Sequence, residues 1–206
     1  LQAVLVASVA DAREREGRLA DGTRLHDAMA RLVESAARGE VEPEELLQVG
    51  REPWLTERTA HRLAPVVGSQ VFTRLVSARA RAEVPWLATY GATMPSAASE
   101  GVRVVADARD VDAGRFDVLA VLPDGRWWIV DWKVTLPADA DDAWRAHGRQ
   151  LTRYSIASQR AHAPGCVLTL ASLSADVVVH SWDGSALAVS DIGPHPPAPP
   201  PVVTLP

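Results

Sequence analysis

A single cysteine, Cys166, stands among 206 residues. The chain can therefore close no internal disulfide and cannot by itself build a thiolate cage for zinc or an iron–sulfur cluster. No apolar run reaches the length of a bilayer span, and the opening LQAVLVASVA lacks both the basic leader and the length of a signal peptide. A cytoplasmic location with no membrane partner is the expectation. Net positive charge is also lacking. A formal charge of -5 speaks against a free-standing nucleic-acid binder, because phosphate contacts draw on clustered Lys and Arg. Lysine itself is nearly absent: of 21 basic residues only Lys133 is one. The first residue is Leu1 instead of Met, which is expected of a fragment or excised domain whose substrate is delivered by other parts of a longer protein.

What is present suits one folded core. Residues 1–20 read as an Ala/Arg/Glu-rich helical entry segment. Leu25, Met29, Leu32, Val33 and Ala36 then recur at helical spacing, predicting an amphipathic helix from Gly22 that ends at Gly39. A short helix is expected over Glu42–Val49. Another helical stretch opens at Pro53, is capped by Thr56 and runs through Leu63, Val66, Val71 and Leu75 to Ala78, with a kink at Gly68. Beyond Ala82 the period becomes that of strands: Glu83–Tyr90, Val102–Ala108, a hairpin over Gly114–Val134, then a helix over Asp142–His162 and a closing hairpin of Cys166–Ser172 and Asp176–Trp182. Residues 191–206 are proline-rich and are expected to form an extended, solvated tail or linker after a domain of residues 1–190. The fold class is α/β (α+β), a central mixed sheet flanked by helices behind an N-terminal helical segment, with the helix of residues 142–162 covering one side.

The hairpin GRFDVLAVLPDGRWWIVDWK carries the chemistry. Pro123-Asp124-Gly125 suits a three-residue loop, because proline presets the first position and glycine accepts the left-handed third. Leu122 then closes against Arg126, and counting outward pairs Val121 with Trp127, Leu119 with Ile129, and Asp117 with Asp131 on one face. Lys133 lies two residues further along that face. Phe116, Val118, Ala120, Trp128, Val130 and Trp132 take the other. Two carboxylates opposed across a ladder lie roughly 5 Å apart and repel each other, so a positive charge belongs between them. Hard divalent cations take oxygen ligands and bind phosphate oxygens, so two aspartates beside an ammonium fit a phosphodiester-cleaving centre. The alternative is a hairpin edge with incidental charges, against which stands the apolar character of both strands.

Three further positions are ambiguous in the residues alone. His26 lies at the edge of an apolar helix stripe, as a structural histidine or as a metal ligand. Glu83 opens the strand EVPWLATY, where a carboxylate could bind a metal, orient a water or face solvent. Gln150 and Tyr154 share a helix face with His147 on its edge, and could hold a nucleic-acid backbone or simply pack.

In order and spacing, GTRLHDAMARLVE, EVPW, GRFD, VDWK and QLTRY resemble the motifs of PD-(D/E)xK nucleases of the RecB/AddA type, the C-terminal nuclease domain of bacterial helicase-nucleases that process double-strand DNA ends. The likeness runs from Gly22 to about Tyr154. It implies a restriction-endonuclease-like core and a Mg²⁺-dependent deoxyribonuclease, exo- or endonucleolytic, in DNA repair and recombination, with Mn²⁺ as a substitute ion. It implies that His26, Asp117 and Asp131 hold the metal with the main-chain carbonyl of Trp132, that Lys133 serves the attacking water and the phosphate charge, that Glu83 is the family glutamate, and that Gln150 and Tyr154 position DNA. Trp132 stands where the family commonly has tyrosine. Relatives with a four-cysteine iron–sulfur cluster are not matched by a chain with one cysteine, so no such cluster is expected. DNA and a helicase, in the same chain or a separate subunit, are the implied partners. The rival readings are a catalytically silent DNA- or subunit-binding module and a stand-alone nuclease of a defence or mobile-element system.

Overall fold

The computed structural model describes residues 2–39, 45–47, 55–89, 111–188, 191 and 195–206. Helix α1 runs unbroken over Gln2–Ala37, so the expected entry segment and the helix beginning at Gly22 are one element. Its buried stripe, Leu25, Ala28, Met29, Leu32, Val33 and Ala36, follows the spacing of three and four that gathers apolar side chains on one helix face. The helix stops at Gly39, whose φ of 69° is the left-handed conformation of a helix end.

Thr56 caps α2 (Glu57–Val67), its hydroxyl accepting the Thr59 N–H at 3.2 Å. The long kinked helix expected through Ala78 is in fact two helices. Gly68 closes α2, and Ser69 restarts the chain as α3 (Gln70–Ser77) by donating its hydroxyl to the Val66 carbonyl and accepting from the Phe72 N–H. A serine that satisfies both helix ends makes a break cheaper than a bend. It also turns Phe72 and Leu75 onto the core that Leu63 and Val66 already face. Pro53 and the expected strand over 102–108 lie outside the described residues; of the expected helix over 42–49, Glu45–Leu47 is described, as a 3-10 turn.

The sheet has five strands in sequence order: β1 (Arg81–Thr89), β2 (Val111–Val121), β3 (Trp127–Lys133), β4 (Cys166–Ser172) and β5 (Val179–Asp183). All neighbours are antiparallel except β3 and β4, which are joined by α4 (Ala140–Arg160) as a crossover. Asp139 caps α4, accepting from the Asp142 N–H at 2.9 Å. The fifth strand begins at Val179 and not at Asp176, because the Ser172 and Ser174 hydroxyls hold the Asp176 carbonyl and the Val178 N–H in the turn.

Two apolar layers sandwich the sheet. On one side α1, α2 and α3 cover Val118, Ala120, Trp128, Val130 and Trp132. On the other, α4 covers Phe116, Ile129, Leu168, Leu170 and Trp182. Phe116 was expected beside Val118, two residues away in the same strand, yet it packs on the α4 side with Tyr154 at 5.2 Å and Trp127 at 6.2 Å. Alternation also breaks in β1, where Ala82 packs with the first layer and Val84 with the second. Between them Glu83 has a φ of 52°. A non-glycine residue there costs about 1–2 kcal/mol, and burial of one large aromatic contributes roughly 1.5–3 kcal/mol. The gain from seating Phe116 in the second layer is thus of the same order as the strain.

The described part of the proline-rich tail is extended and docked along the sheet edge, with Ala198, Pro199, Pro201, Val202 and Thr204 still exposed. Val202 bridges to Trp182, the Val203 N–H bonds to the Ser181 carbonyl at 2.9 Å, and the Trp144 indole donates to the Pro197 carbonyl at 2.7 Å. The tail ends at Arg74 of α3, whose guanidinium holds the Leu205 and Pro206 carbonyls. It covers the β5 edge, which would otherwise present unpaired backbone groups. No helix among the described residues is long and apolar enough to cross a membrane.

Candidate active site

The turn sets the register. Leu122 donates to the Arg126 carbonyl at 2.9 Å, Gly125 takes a φ of 84°, and Val121–Trp127 through Val118–Val130 pair as the spacing predicts. The ladder stops there, so the expected Asp117–Asp131 pair is not made. In place of a backbone partner, the Trp132 N–H donates to the Asp117 carboxylate at 2.9 Å. The same Asp117 oxygen lies 3.2 Å from His26 Nδ1 on α1. Asp117 therefore ties the open end of the hairpin to the first helix.

Asp131 is 1% exposed and faces α4. Its Oδ1 accepts from Gln150 Nε2 at 2.9 Å and from the Tyr154 hydroxyl at 3.1 Å. Its Oδ2 is 2.5 Å from Lys133 Nζ, yet at an angle that makes no directed hydrogen bond. Lys133 in turn donates to Gln150 Oε1 at 2.9 Å. The Gln150 amide thus holds both members of the ion pair, while its N–H₂ also meets the Tyr154 hydroxyl at 2.6 Å.

Electrostatics follow from this packing. Burial, and after it the charge on Asp117, pushes the Asp131 carboxyl up to about 6, against the pull of Lys133. The hydrogen bond to Asp117 holds His26 above the ordinary imidazole range, with burial opposing. Burial first, then the Asp131 charge, raises the Tyr154 phenol, so it stays a donor. Burial, and after it the charge of Lys133, holds His147 below the ordinary imidazole range. Two carboxylates here face one ammonium and one imidazole.

Of the residues singled out in the sequence, His26 meets Asp117, while Asp131, Lys133, Gln150 and Tyr154 form one hydrogen-bonded group. Trp132 buries its indole under the α1 layer at 1% exposure, away from Asp131. Glu83 is skipped by the ladder between Ala82–Val118 and Val84–Phe116, and its carboxylate pairs with Arg115 at 2.6 Å. Gln150 and Tyr154, expected to hold DNA, are turned inward onto Asp131, with Tyr154 5% exposed. Arg115, Arg153 and Trp86, not singled out in the sequence, line a cleft with Asp117 and Gln150. Arg115 and Trp86 belong to the quoted GRFD and EVPW segments, and Arg153 lies three residues beyond Gln150, so the signal was proximity to those motifs.

Among the described residues, no three His, Cys, Asp or Glu side chains are close enough to form a ready ligand cluster. The donor set nevertheless fits a hard divalent cation. Asp131 Oδ2 is a buried carboxylate oxygen that accepts no directed hydrogen bond, Asp117 lies near enough for its charge to act on that carboxyl, and carboxylate oxygens are the ligands of hard divalent cations.

No curated protein matches the chain. The family model of the PD-(D/E)XK nuclease superfamily matches residues 5–176, a span that takes in α1, the hairpin, α4 and β4. The mixed five-stranded sheet between helical layers is the restriction-endonuclease-like α/β architecture. With paired aspartates and a lysine at one end of that sheet, the chain belongs to the PD-(D/E)XK nuclease superfamily.

Proposed function

We propose that the protein hydrolyses phosphodiester bonds of DNA with a divalent cation, Mg²⁺ or in its place Mn²⁺, held by His26, Asp117, Asp131 and the Trp132 carbonyl. The observation that carries this reading is the Lys133 ammonium 2.5 Å from buried Asp131 and fixed by Gln150. When bound, the cation would supply Lewis-acid polarisation of the phosphate and a more acidic water.

The chain's own groups do the rest. Lys133 Nζ, on a side chain that is mostly buried beside Asp131, presents N–H donors to the incoming water and to the negative charge that grows on the phosphate. Gln150 and Tyr154 act as positioning residues, since they hold Asp131 and Lys133 in place. His26 holds Asp117 from the α1 side. Glu83 contributes from the fringe, paired with Arg115. No covalent intermediate on the protein is required.

The order of the RecB/AddA-type motifs supports a place in a helicase-nuclease that processes double-strand DNA ends. Helicase motifs encoded beside this domain would support that place; their absence would favour the stand-alone nuclease. Calorimetry with Mn²⁺ together with cleavage of a labelled oligonucleotide tests the catalytic reading: heat and cleavage are expected from the wild type, and both should vanish in Asp131→Asn. A wild type that binds DNA but takes up no cation would be a silent binding module instead.

A further inference from the structure

Residues 195–206 run from Trp144 of α4 along the edge of β5 to Arg74 of α3. Proline has no N–H, and a proline-rich run forms no hydrogen bonds within itself, so its carbonyls stay free for donors from outside. Three bonds fix where this run lies. The Trp144 indole N–H donates to the Pro197 carbonyl at 2.7 Å, the Asp183 N–H to the Pro201 carbonyl at 2.9 Å, and the Val203 N–H to the Ser181 carbonyl at 2.9 Å. Pro200 is buried among these contacts, while Ala198, Pro199 and Val202 are exposed. Beneath lie the Trp144 and Trp182 rings, 5.3 Å apart at 58°. An aromatic groove for a proline-rich run, joined to pairing along a strand edge, combines two of the ways in which extended peptides are recognised.

Trp144 connects this contact to the candidate active site. It precedes Gln150 by six residues on α4, about 9 Å along the helix axis. Its ring rests on Gly148, where a Cβ would stand 2.7 Å from the indole. Glycine inside a helix forfeits stability relative to alanine, and here the missing Cβ is what gives the ring its seat. The Thr152 hydroxyl donates to the Gly148 carbonyl at 2.8 Å. The turn that Trp144 braces is thus continuous with the one that carries Gln150.

Building on the proposed nuclease reading, we infer that residues 195–206 act in cis as a peptide ligand of the Trp144–Trp182 groove, and that Trp144, held by the Pro197 carbonyl, is a positioning residue that sets α4 so that Gln150 reaches Asp131 and Lys133.

The test uses the full chain and two substitutions that each remove one donor. Trp144→Phe keeps a ring and loses the indole N–H; Val203→Pro loses the N–H given to Ser181. Docking is read at the Asp183 amide, which bonds to Pro201. Its hydrogen exchange should quicken about five-fold in either variant, the worth of one hydrogen bond. The link to the site is read by NMR at the Gln150 side-chain amide, whose signals should shift. With Mn²⁺ and a labelled oligonucleotide, kcat should fall about five-fold at unchanged KM, in the range of coupling carried through packed elements. A free peptide with the sequence of residues 195–206, at the roughly millimolar effective concentration of a tethered segment, should restore all three readings in Val203→Pro and none in Trp144→Phe.

Unchanged Asp183 exchange in both variants overturns the peptide site, and so does a Val203→Pro chain that the peptide leaves unrestored. Faster exchange with the Gln150 signals unmoved, or a loss that falls on KM, overturns the positioning role. Where Trp144→Phe does not fold, Val203→Pro with and without peptide decides both points. A wild type that cuts nothing with Mn²⁺ sinks the nuclease reading alone, because the Asp183 and Gln150 signals are read without cleavage.

Discussion

The two ends of the β2–β3 hairpin share the same strands and obey different constraints. At the turn, Gly125 takes the left-handed conformation, Leu122 closes on Arg126, and the pairs from Val121–Trp127 to Val118–Val130 alternate between faces with period two. At the open end the ladder has ended, Glu83 is left-handed, Phe116 has crossed to the α4 layer, and a side chain, Asp117, satisfies the Trp132 N–H. The turn end has only to pack. The open end has to keep Asp117 and Asp131 within electrostatic reach of each other and of Lys133 and His26. Regular pattern yields where charges are gathered, as strain and irregularity collect at functional sites in general.

The contrast can be broken by mutation, and the greatest effect belongs to the open end. Asp131→Ala and Lys133→Ala should each lower DNA cleavage roughly 10³-fold or more with unchanged far-UV circular dichroism; a variant that still nicks at wild-type rate would remove the site from this end of the sheet. Gln150→Ala, which frees both Lys133 and Asp131, should cost about 10–100-fold, the usual effect of removing a supporting contact, and should shift the pH profile of kcat as well as its height. A loss in KM alone would mark Gln150 as a substrate contact and not a positioning residue.

The pH dependence sharpens the contrast without mutation. The Asp131 carboxyl is raised from 3.8 to about 6 in the folded chain, chiefly by burial. The folded state thus holds the proton more tightly than the unfolded state. The stability this proton confers is full below about pH 3.8 and is lost as pH rises through about 6. A bound cation needs the carboxylate and opposes that loss. The rise in Tm on adding Mg²⁺, read by thermal shift, should therefore grow from pH 5 to pH 7.5; a rise that shrinks over this range would contradict Asp131 as a ligand. The smallest effect belongs to the turn. Gly125→Ala, forced into a φ of 84°, should cost about 1 kcal/mol and lower Tm by about 2–4 °C while kcat stays at the wild-type value. Should it disable cleavage as strongly as Gln150→Ala, the two ends would not be independent.

How far the sequence could be read tracks the range of the forces involved. The α1 stripe, the Thr56 cap, the loop at Pro123, the register to Leu119–Ile129 and the strand Cys166–Ser172 rest on neighbours within a few residues, and all were legible. The division of the helix at Gly68–Ser69 was not, because a kink and a double cap look alike until Phe72 and Leu75 must reach the same core as Leu63. Nor was the docking of the tail, since a proline-rich run looks solvated until an uncovered β5 edge lies beside it.

The candidate site divides along the same line. The sequence by itself determined that Asp117, Asp131 and Lys133 lie toward the open end of one hairpin, because a three-residue turn fixes the register from Val121–Trp127 to Val118–Val130 and alternation puts Lys133 on the face of Asp131. Only the tertiary structure decided what each one touches: Gln150 and Tyr154 turned onto Asp131, Glu83 taken by Arg115, His26 carried in on α1. These contacts join elements far apart in the chain, and they are set by how much apolar surface each layer can bury, a quantity that exists only once the helices and the sheet have met.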